Sequence, residues 1–289
     1  MKVVVTGASG QLGRCLRLTA PEGARITWCD RGLLDVADAH AVARTPLLRG
    51  AEVVINAAAM TAVDAAEERV AEAEALNARA PGDLALRCAR EGAHLIHLST
   101  DYVFGGAEAA RARRPLRPGD PVRPETVYGR TKAEGERAIA RVAREQERWG
   151  AAYTVVRTAW LFSGEVLPGH RDFVSTMLRL AREGVHPRVV DDQTGSPTFA
   201  IDLARELWNA AGRQPRGGAI HLAGAGAATW CELARAAFEE AGCDPARVRP
   251  VTSAEYPTAA RRPAWSVLES DRPLPEWRSG VRRAVAATL

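Results

Sequence analysis

Lysine is nearly absent from this sequence. Only Lys2 and Lys132 occur among 39 basic residues, so the other 37 are arginines. A general bias toward Ala, Arg, Gly and Pro accounts for most of the missing lysines, but it leaves Lys132 unexplained. This lysine lies four residues after Tyr128, one of four tyrosines, in "VYGRTKAEGE" (127–136). Either the stretch is an exposed helix with a tyrosine on its edge, or the site needs an ammonium that a guanidinium cannot replace.

The sequence also lacks cysteine pairs suited to a disulfide framework or a zinc site. Its five cysteines are odd in number, and none forms a CxxC pair. Such cysteines are usually small buried hydrophobic residues in a reducing compartment. We therefore expect free, buried thiols at Cys15, Cys29, Cys88, Cys231 and Cys243.

Long apolar runs are missing as well, which argues against a membrane protein. No run reaches about 18 residues, and the N-terminal "MKVVVTGASG" turns to glycine too early for a signal peptide. The net charge is +4, but the basic residues are spread along the chain and no zinc-finger or aromatic-basic RNA motif occurs. The sequence predicts a cytoplasmic protein that binds neither membranes nor nucleic acid.

Short apolar runs, rich in β-branched residues, alternate with helix-like stretches. The runs lie at 2–6, 24–30, 52–59, 94–100, 153–160 and 187–193. This alternation predicts an α/β protein with a Rossmann-type, doubly wound parallel sheet. Later in the chain it gives way to helices and Pro-rich loops, which predict a smaller C-terminal lobe. We assign 1–160 to the sheet domain, with 187–222 returning to it, and 161–186 with 223–289 to the smaller lobe.

A glycine-rich turn follows the first predicted strand. In "TGASGQLG", Gly7, Gly10 and Gly13 lie between that strand and a helix, the context in which such a pattern binds a dinucleotide. The first two glycines permit a tight turn near a pyrophosphate at the helix N-terminus, and the third permits close helix packing. A purely structural turn is the alternative. The turn residues predicted to bind the cofactor are Gly7, Ser9, Gly10, Gln11, Leu12 and Gly13.

The end of the second strand carries conflicting signals for the choice of cofactor. Asp30 could accept hydrogen bonds from the adenine ribose, which favours NAD. Arg31 follows directly and could pair with a 2′-phosphate, which favours NADP. We therefore predict that the site accepts either NADPH or NADH.

Tyr128 and Lys132 are spaced for proton transfer. Positions i and i+4 lie on one face of a helix, so the two side chains should point the same way. A cation beside a tyrosine favours the phenolate and lowers the pKa of the phenol. A lysine supplies a compact charge with three donors, which could also bind ribose hydroxyls, whereas the fork of an arginine is broader. We therefore predict that Lys132 lowers the pKa of Tyr128.

Thr100 ends the fourth predicted strand, at the sheet edge where open α/β folds bind ligands. Its hydroxyl could hydrogen-bond a substrate carbonyl beside Tyr128. The alternative is a threonine that only caps the next turn.

These motifs resemble the extended short-chain dehydrogenase/reductases, and more narrowly the dTDP-4-dehydrorhamnose reductase family. The resemblance covers nearly the whole chain. The superfamily shares the glycine turn and the Tyr–Lys pair. The narrower motifs are "STDYVF", "DDQTGSPT" and the C-terminal "RPAWSVL".

The resemblance implies that NADPH or NADH binds in the first lobe and a dTDP-linked 4-keto-6-deoxy sugar in the cleft. It implies that Thr100, Tyr128 and Lys132 are catalytic, so that Tyr128 protonates the oxygen at C4 after hydride transfer. The further cofactor residues it implies are Asp35, Val36, Ala57, Ala58, Ala59, Thr61 and Ser99. The sugar-nucleotide residues it implies are Val63, Thr100, Asp101, Tyr102, Trp160 and Arg262. The alternatives are a core tryptophan at a strand end for Trp160 and an ordinary exposed arginine for Arg262.

Three positions depart from the family pattern. Met60 stands where the family usually has His or Tyr. The loop 163–172 is longer than usual, ends in Asp172 rather than Asn, and is expected beside the sugar. Some members bridge a dimer through a metal that is held partly by an acid in the first helix. Cys15 lies near the position of that acid here, so we assign no metal. The chain is expected to be a monomer or homodimer.

The departures keep other functions open. A 4-ketoreductase for a specialised deoxysugar, similar to dihydrostreptose synthase, is one alternative. A regulatory subunit such as the methionine adenosyltransferase β-subunit is another, although the Tyr–Lys pair argues against it. An epimerase or dehydratase is a third; dehydratases usually place an acid pair after the threonine, and here only Asp101 follows it.

Overall fold

Parallel strands form the centre of the molecule, in a computed structural model that describes residues 1–105, 111, 113–146, 152–214 and 217–289. The strands are β1 Lys2–Thr6, β2 Arg25–Cys29, β3 Val53–Asn56, β4 His94–Thr100, β5 Ala152–Thr158, β6 Leu161–Phe162, β7 Arg188–Val190, β8 Thr194–Gly195, β9 Thr198–Phe199, β10 Ala219–His221, β11 Gly224–Ala225, β12 Ala228–Thr229, β13 Arg249–Val251 and β14 Leu274–Glu276. Six of them form one sheet in the order β10-β5-β4-β3-β1-β2. All neighbouring pairs in that sheet are parallel, which confirms the predicted fold class.

Helices cover both faces of this sheet because successive side chains of a buried strand point to opposite sides. Val3 and Val5 pack in one core with Leu207, whereas Val4 packs in another with Leu84. The α-helices are Gln11–Leu18, Ala39–Arg44, Val63–Glu68, Val70–Ala73, Ala80–Glu91, Val127–Glu145, Phe173–Arg182, Ala200–Arg213, Trp230–Glu240 and Trp277–Val285. A π-helical turn spans Glu74–Arg79, and 3₁₀ turns span Asp101–Val103, Gly164–Val166, Pro245–Arg247 and Ser253–Glu255.

The strand predicted at 187–193 does not join the central sheet. This corrects the prediction that the chain returns to the sheet domain at residue 187. β7 pairs with β13 in a separate two-stranded ribbon. Its residues alternate between exposed Arg188 and buried Val189, whereas every residue of β4 is buried. A half-exposed strand suits the edge of a small ribbon better than the middle of a parallel sheet. The chain returns to the central sheet through β10, which pairs with β5.

The cysteines are free, and Cys243 is the one that is only partly buried. Burial raises the pKa of the Cys15 and Cys88 thiols to about 12. In the described ranges, no helix is long and apolar enough to span a membrane. Those ranges also contain no cluster of three or more His, Cys, Asp or Glu side chains that could hold a metal ion.

Candidate active site

The glycine turn is shaped by close backbone contacts. Gly7 has φ +70°, and a Cβ atom on it would lie 2.6 Å from the backbone nitrogen of Ala58. A Cβ atom on Gly13 would lie 2.3 Å from the carbonyl oxygen of Gly7. Only glycine fits at these two positions. Gly10 precedes the helix Gln11–Leu18, whose N-terminus has no described side-chain cap and no acid in its first turn. These features fit the pyrophosphate of a dinucleotide.

The two cofactor-selecting residues at the end of β2 have separate partners. The Asp30 carboxylate accepts a hydrogen bond from the backbone N–H of Leu33 at 2.9 Å. Arg31 pairs with Asp35, with Nε 3.1 Å from Oδ2, and 82% of the Arg31 side chain is exposed. An exposed pair of this kind stabilises little, so Arg31 is free to exchange Asp35 for another anion.

Several predicted cofactor side chains are directed away from the glycine turn. Leu12 is buried in the core, and Gln11 Nε2 donates to Asp172 at 3.0 Å. The Ser99 hydroxyl donates to Glu136 at 2.6 Å. Gln11 and Leu12 therefore offer an anion their backbone N–H groups at the helix N-terminus and not their side chains. Elsewhere among the predicted cofactor positions, Val36 is buried, Ala57, Ala58 and Ala59 are partly buried, and Ser9 and Thr61 are exposed.

Tyr128 and Thr100 lie together at the carboxyl end of β4. Burial raises the pKa of Tyr128 to about 12, against the opposing effect of a hydrogen bond with Thr100. The Tyr128 ring packs edge-on against Tyr102, with ring centroids 5.6 Å apart. Thr100 also caps the following turn, because its Oγ1 accepts from the N–H of Tyr102 at 3.1 Å. The threonine therefore has the structural role named as the alternative, and it also reaches the tyrosine.

Asp101 lies directly behind Thr100 and is buried. Its Oδ1 accepts from the Thr100 hydroxyl at 3.0 Å. Burial raises the pKa of Asp101 to about 6, and hydrogen bonds from Ser266 and Thr100 oppose that change.

The amine of Lys132 is directed at β4 instead of Tyr128, and Lys132 is not among the groups that shift the pKa of Tyr128, which differs from the prediction from spacing. Its Nζ lies 2.6 Å from the carbonyl oxygen of Leu98 and 3.1 Å from Nε2 of His97. Burial lowers the pKa of Lys132 to about 8, and the charge of Glu136 acts in the opposite direction. The helix places both side chains on one face, as predicted, but the four-carbon stem of the lysine carries its amine to β4.

A cavity of about 1040 Å³ opens on the side of the smaller lobe. Arg262 lines it and binds Asp64 through Nη1 at 3.1 Å. This ion pair lowers the pKa of Asp64. Val63, predicted to face the sugar, is the neighbour of Asp64 and is partly buried.

An aromatic stack borders the same cavity. Trp160 and Trp230 are parallel, with ring centroids 3.6 Å apart, and Phe173 packs against Trp230 at 4.8 Å. Trp160 has φ +46°, a strained value for a non-glycine residue. A Cβ atom on Gly195 would lie 2.4 Å from the Trp160 ring, so glycine at that position leaves room for the indole.

The loop 163–172, predicted to lie beside the sugar, lines a cavity of about 440 Å³ together with the helix that follows. Thr176 of that helix also lines the 1040 Å³ cavity. Asp172 Oδ2 accepts from the backbone N–H of Ser163 at 2.7 Å and from Gln11 of the glycine turn. The carboxylate also closes a capping box with Ser175. Asp172 therefore links this loop to the glycine turn.

Sequence reasoning missed the buried polar groups beneath the site. Asn56 and His97 lie inside the sheet, and Glu136 forms a buried ion pair with Arg157. A signal for His97 was present, since a histidine in the middle of the predicted buried strand "HLIHLST", flanked by Ile96 and Leu98, must find a polar partner.

Comparisons with known proteins match this chain over nearly its whole length. The family described as RmlD substrate binding domain matches residues 1–289. A dTDP-4-dehydrorhamnose reductase of Mycobacterium tuberculosis is 44% identical over 99% of this chain and 93% of its own. A probable dTDP-4,6-dihydroxy-2-methyloxan-3-one 4-ketoreductase of Streptomyces antibioticus is 41% identical over 98% and 94%. The crystal structure of dTDP-4-dehydrorhamnose reductase from Bacillus anthracis, in complex with NADP, superposes with TM-score 0.88 at 30% identity and covers 99% of both chains.

Proposed function

The chain belongs to the dTDP-4-dehydrorhamnose reductase family, and we propose that it reduces the C4 ketone of dTDP-4-dehydro-L-rhamnose to give dTDP-L-rhamnose, with NADPH or NADH as reductant. The observation that carries the proposal is the contact between Tyr128 and Thr100 at the carboxyl end of β4, in a chain similar to such reductases over its full length.

Tyr128 is suited to act as the acid. Bound NADPH or NADH supplies the hydride that reduces C4. With its pKa raised to about 12, the phenol keeps its proton at neutral pH. The oxyanion that forms at C4 takes this proton, and because a pKa near 12 makes Tyr128 a weak acid, the transfer is favoured by a cation that stabilises the phenolate. Thr100 lies beside the phenol, and its hydroxyl stabilises the same oxygen when it turns from Asp101 to donate to the substrate.

Lys132 acts on Tyr128 only when its amine turns from β4 toward the phenol. In that position an ammonium would stabilise the phenolate left after proton transfer and could bind the ribose of the cofactor. The long aliphatic stem of lysine allows this movement without a change in the helix backbone.

The sugar nucleotide is proposed to bind in the 1040 Å³ cavity. Its Arg262 side chain offers a charged partner for a diphosphate, in exchange for Asp64. Tyr102 connects this cavity to Tyr128, because it hydrogen-bonds Arg262 and packs against the Tyr128 ring. The Trp160–Trp230 stack offers an apolar wall for a sugar or base. In this proposal, 1–160 carries the cofactor, 161–186 with 223–289 binds the sugar nucleotide, and the protein is a monomer or homodimer.

A panel of dTDP-4-keto-6-deoxy sugars, assayed with NADPH and with NADH, tests this proposal. We expect the highest kcat/KM with dTDP-4-dehydro-L-rhamnose. Failure to oxidise either cofactor with any sugar of the panel would refute the enzymatic function and leave the regulatory-subunit alternative.

A specialised deoxysugar 4-ketoreductase is the second candidate. The Streptomyces antibioticus relative, named as a probable 4-ketoreductase, favours it, as does Met60 at a position where family members usually carry a polar or aromatic ring. A higher kcat/KM for another 4-keto sugar in the same panel would identify this function.

The choice between cofactors should depend on Arg31. We expect Arg31→Ala to weaken NADPH binding by roughly tenfold, because a charge-assisted contact to the 2′-phosphate is lost. NADH, which lacks that phosphate, should bind with nearly unchanged affinity. Fluorescence titration of both cofactors measures the two dissociation constants. An equal loss for NADH and NADPH would show that Arg31 instead supports the turn after β2.

A further inference from the structure

A line of buried polar groups crosses the sheet beneath Tyr128. Thr6 on β1 donates to Asn56 Oδ1 on β3 at 2.7 Å. Asn56 Nδ2 lies 2.9 Å from His97 Nδ1 on β4, and His97 Nε2 lies 3.1 Å from Lys132 Nζ. All four side chains are at most 2% exposed, so solvent does not supply alternative partners.

The backbone fixes the orientation of the Asn56 amide. Its Oδ1 lies 3.2 Å from the N–H of Ala58, which can only donate. The oxygen of the amide must therefore face Ala58 and Thr6, and the NH₂ group must face His97. Nδ1 of His97 is consequently an acceptor and carries no proton.

The tautomer of His97 follows from this orientation. A neutral imidazole has one N–H, so its proton must be on Nε2, which faces Lys132. The imidazolium form would place a second proton on Nδ1, directly against the NH₂ group of Asn56. Burial lowers the pKa of His97 well below its usual value, which keeps the ring neutral.

The protonation state of Lys132 follows in turn. An N–H on His97 Nε2 needs a lone pair on Nζ, and an ammonium has none. A neutral amine satisfies every contact, because it accepts from His97 and donates one N–H to the carbonyl of Leu98. In this arrangement Lys132 is an uncharged amine.

The acid nearest to Lys132 on its helix does not reverse this result. Glu136 lies one turn further along and favours the charged amine. However, Arg157 binds its carboxylate through two N–H groups, at 2.9 and 2.6 Å, and Ser99 donates to it at 2.6 Å. The carboxylate is therefore already neutralised and hydrogen-bonded.

We propose that His97 is a positioning residue that stabilises the neutral amine of Lys132 against β4, so that protonation of Lys132 accompanies the movement of its amine from His97 to Tyr128. The role of Lys132 in the reaction rests on the proposed function. Its protonation state in the free protein does not. The proposal also explains why this position is not arginine, whose guanidinium stays charged and has no lone pair to accept from His97.

The scarcity of lysine makes the proposal directly measurable. In a Lys2→Arg background, protein labelled with [ε-¹³C]lysine gives a single labelled residue, Lys132. We expect its NMR signal to titrate near pH 8, the value to which burial lowers its pKa. Labelling with ¹⁵N-histidine should show His97 with its proton on Nε2 from about pH 6 to about pH 9. Neither measurement needs cofactor or sugar, so each can fail while the proposed function stands.

Variants of His97 separate its hydrogen bonds from its bulk. His97→Phe removes the Nε2 donor, so the Lys132 midpoint should rise by about one pH unit. His97→Gln should keep the low midpoint, because the amide oxygen can accept from Asn56 while the amide nitrogen donates to Lys132. His94, a buried histidine of the same strand that contacts Thr154, is the matched control. His94→Phe should leave the Lys132 titration unchanged.

Two results would overturn the proposal. One is a wild-type His97 with its proton on Nδ1, which remains measurable even if His97→Phe fails to fold. The other is a Lys132 midpoint that is the same in folded His97→Phe as in the parent protein.

Discussion

Replacing Lys132 by arginine should lower kcat by about 10²- to 10⁴-fold, although the net charge does not change. The guanidinium cannot lose its charge, so it cannot bind His97 and Leu98 as the amine does. It would be forced away from β4, and it is too broad to approach the phenol of Tyr128 and the ribose of the cofactor in the same way. Steady-state kcat with a saturating dTDP-4-keto-6-deoxy sugar measures the loss.

The other lysine provides the matched control. Lys2 lies at the exposed start of β1, where its ammonium contacts the carbonyl oxygen of Arg49. Lys2→Arg should keep wild-type kcat, because arginine can donate to that oxygen equally well. If Lys132→Arg also turned over at the wild-type rate, the proposed role of Lys132 in the reaction would be refuted.

Removing the hydroxyl of Tyr128 should lower kcat by a comparable factor, about 10²- to 10⁴-fold, because the phenol is the proposed proton donor, whereas Asp101 accepts a hydrogen bond from the Thr100 hydroxyl. Tyr128→Phe keeps the ring that packs against Tyr102 and so should leave the local fold intact. Cofactor affinity, measured by fluorescence titration, should change little.

The matched variant is Tyr153→Phe, which removes a hydroxyl from β5, away from the carboxyl end of the sheet. It should retain wild-type turnover. Loss of cofactor binding in Tyr128→Phe, in proportion to the loss of kcat, would mean that the phenol holds the cofactor rather than donating a proton.

The sequence predicted the parts of the site that depend on local spacing. The glycine turn and the i, i+4 pair each lie within one strand–turn–helix unit or one helix, so their geometry follows from local rules. The central sheet was predictable for a similar reason, since apolar runs that alternate with helices are typical of parallel strands buried on both faces. The position of Thr100 at a strand end followed directly from that sheet.

Contacts between distant segments could not be predicted in this way. His97 meets Lys132 only because β4 packs beneath the helix Val127–Glu145, and nothing in the i, i+4 spacing indicates that the amine turns toward the strand. The link from Asp172 to Gln11 joins residues 161 positions apart. β7 looked like a strand of the central sheet because three residues are too few to distinguish a ribbon from a sheet edge.

Transfer of a deuteride tests the central claim most directly. NADPH carrying deuterium at C4 of the nicotinamide, in its transferable position, is incubated with the protein and dTDP-4-dehydro-L-rhamnose, and the sugar product is analysed by NMR. The account predicts dTDP-L-rhamnose with one deuterium at C4 of the sugar, formed far more slowly by Tyr128→Phe. A product without deuterium at C4, or deuterium transfer that is undiminished in Tyr128→Phe, would contradict it.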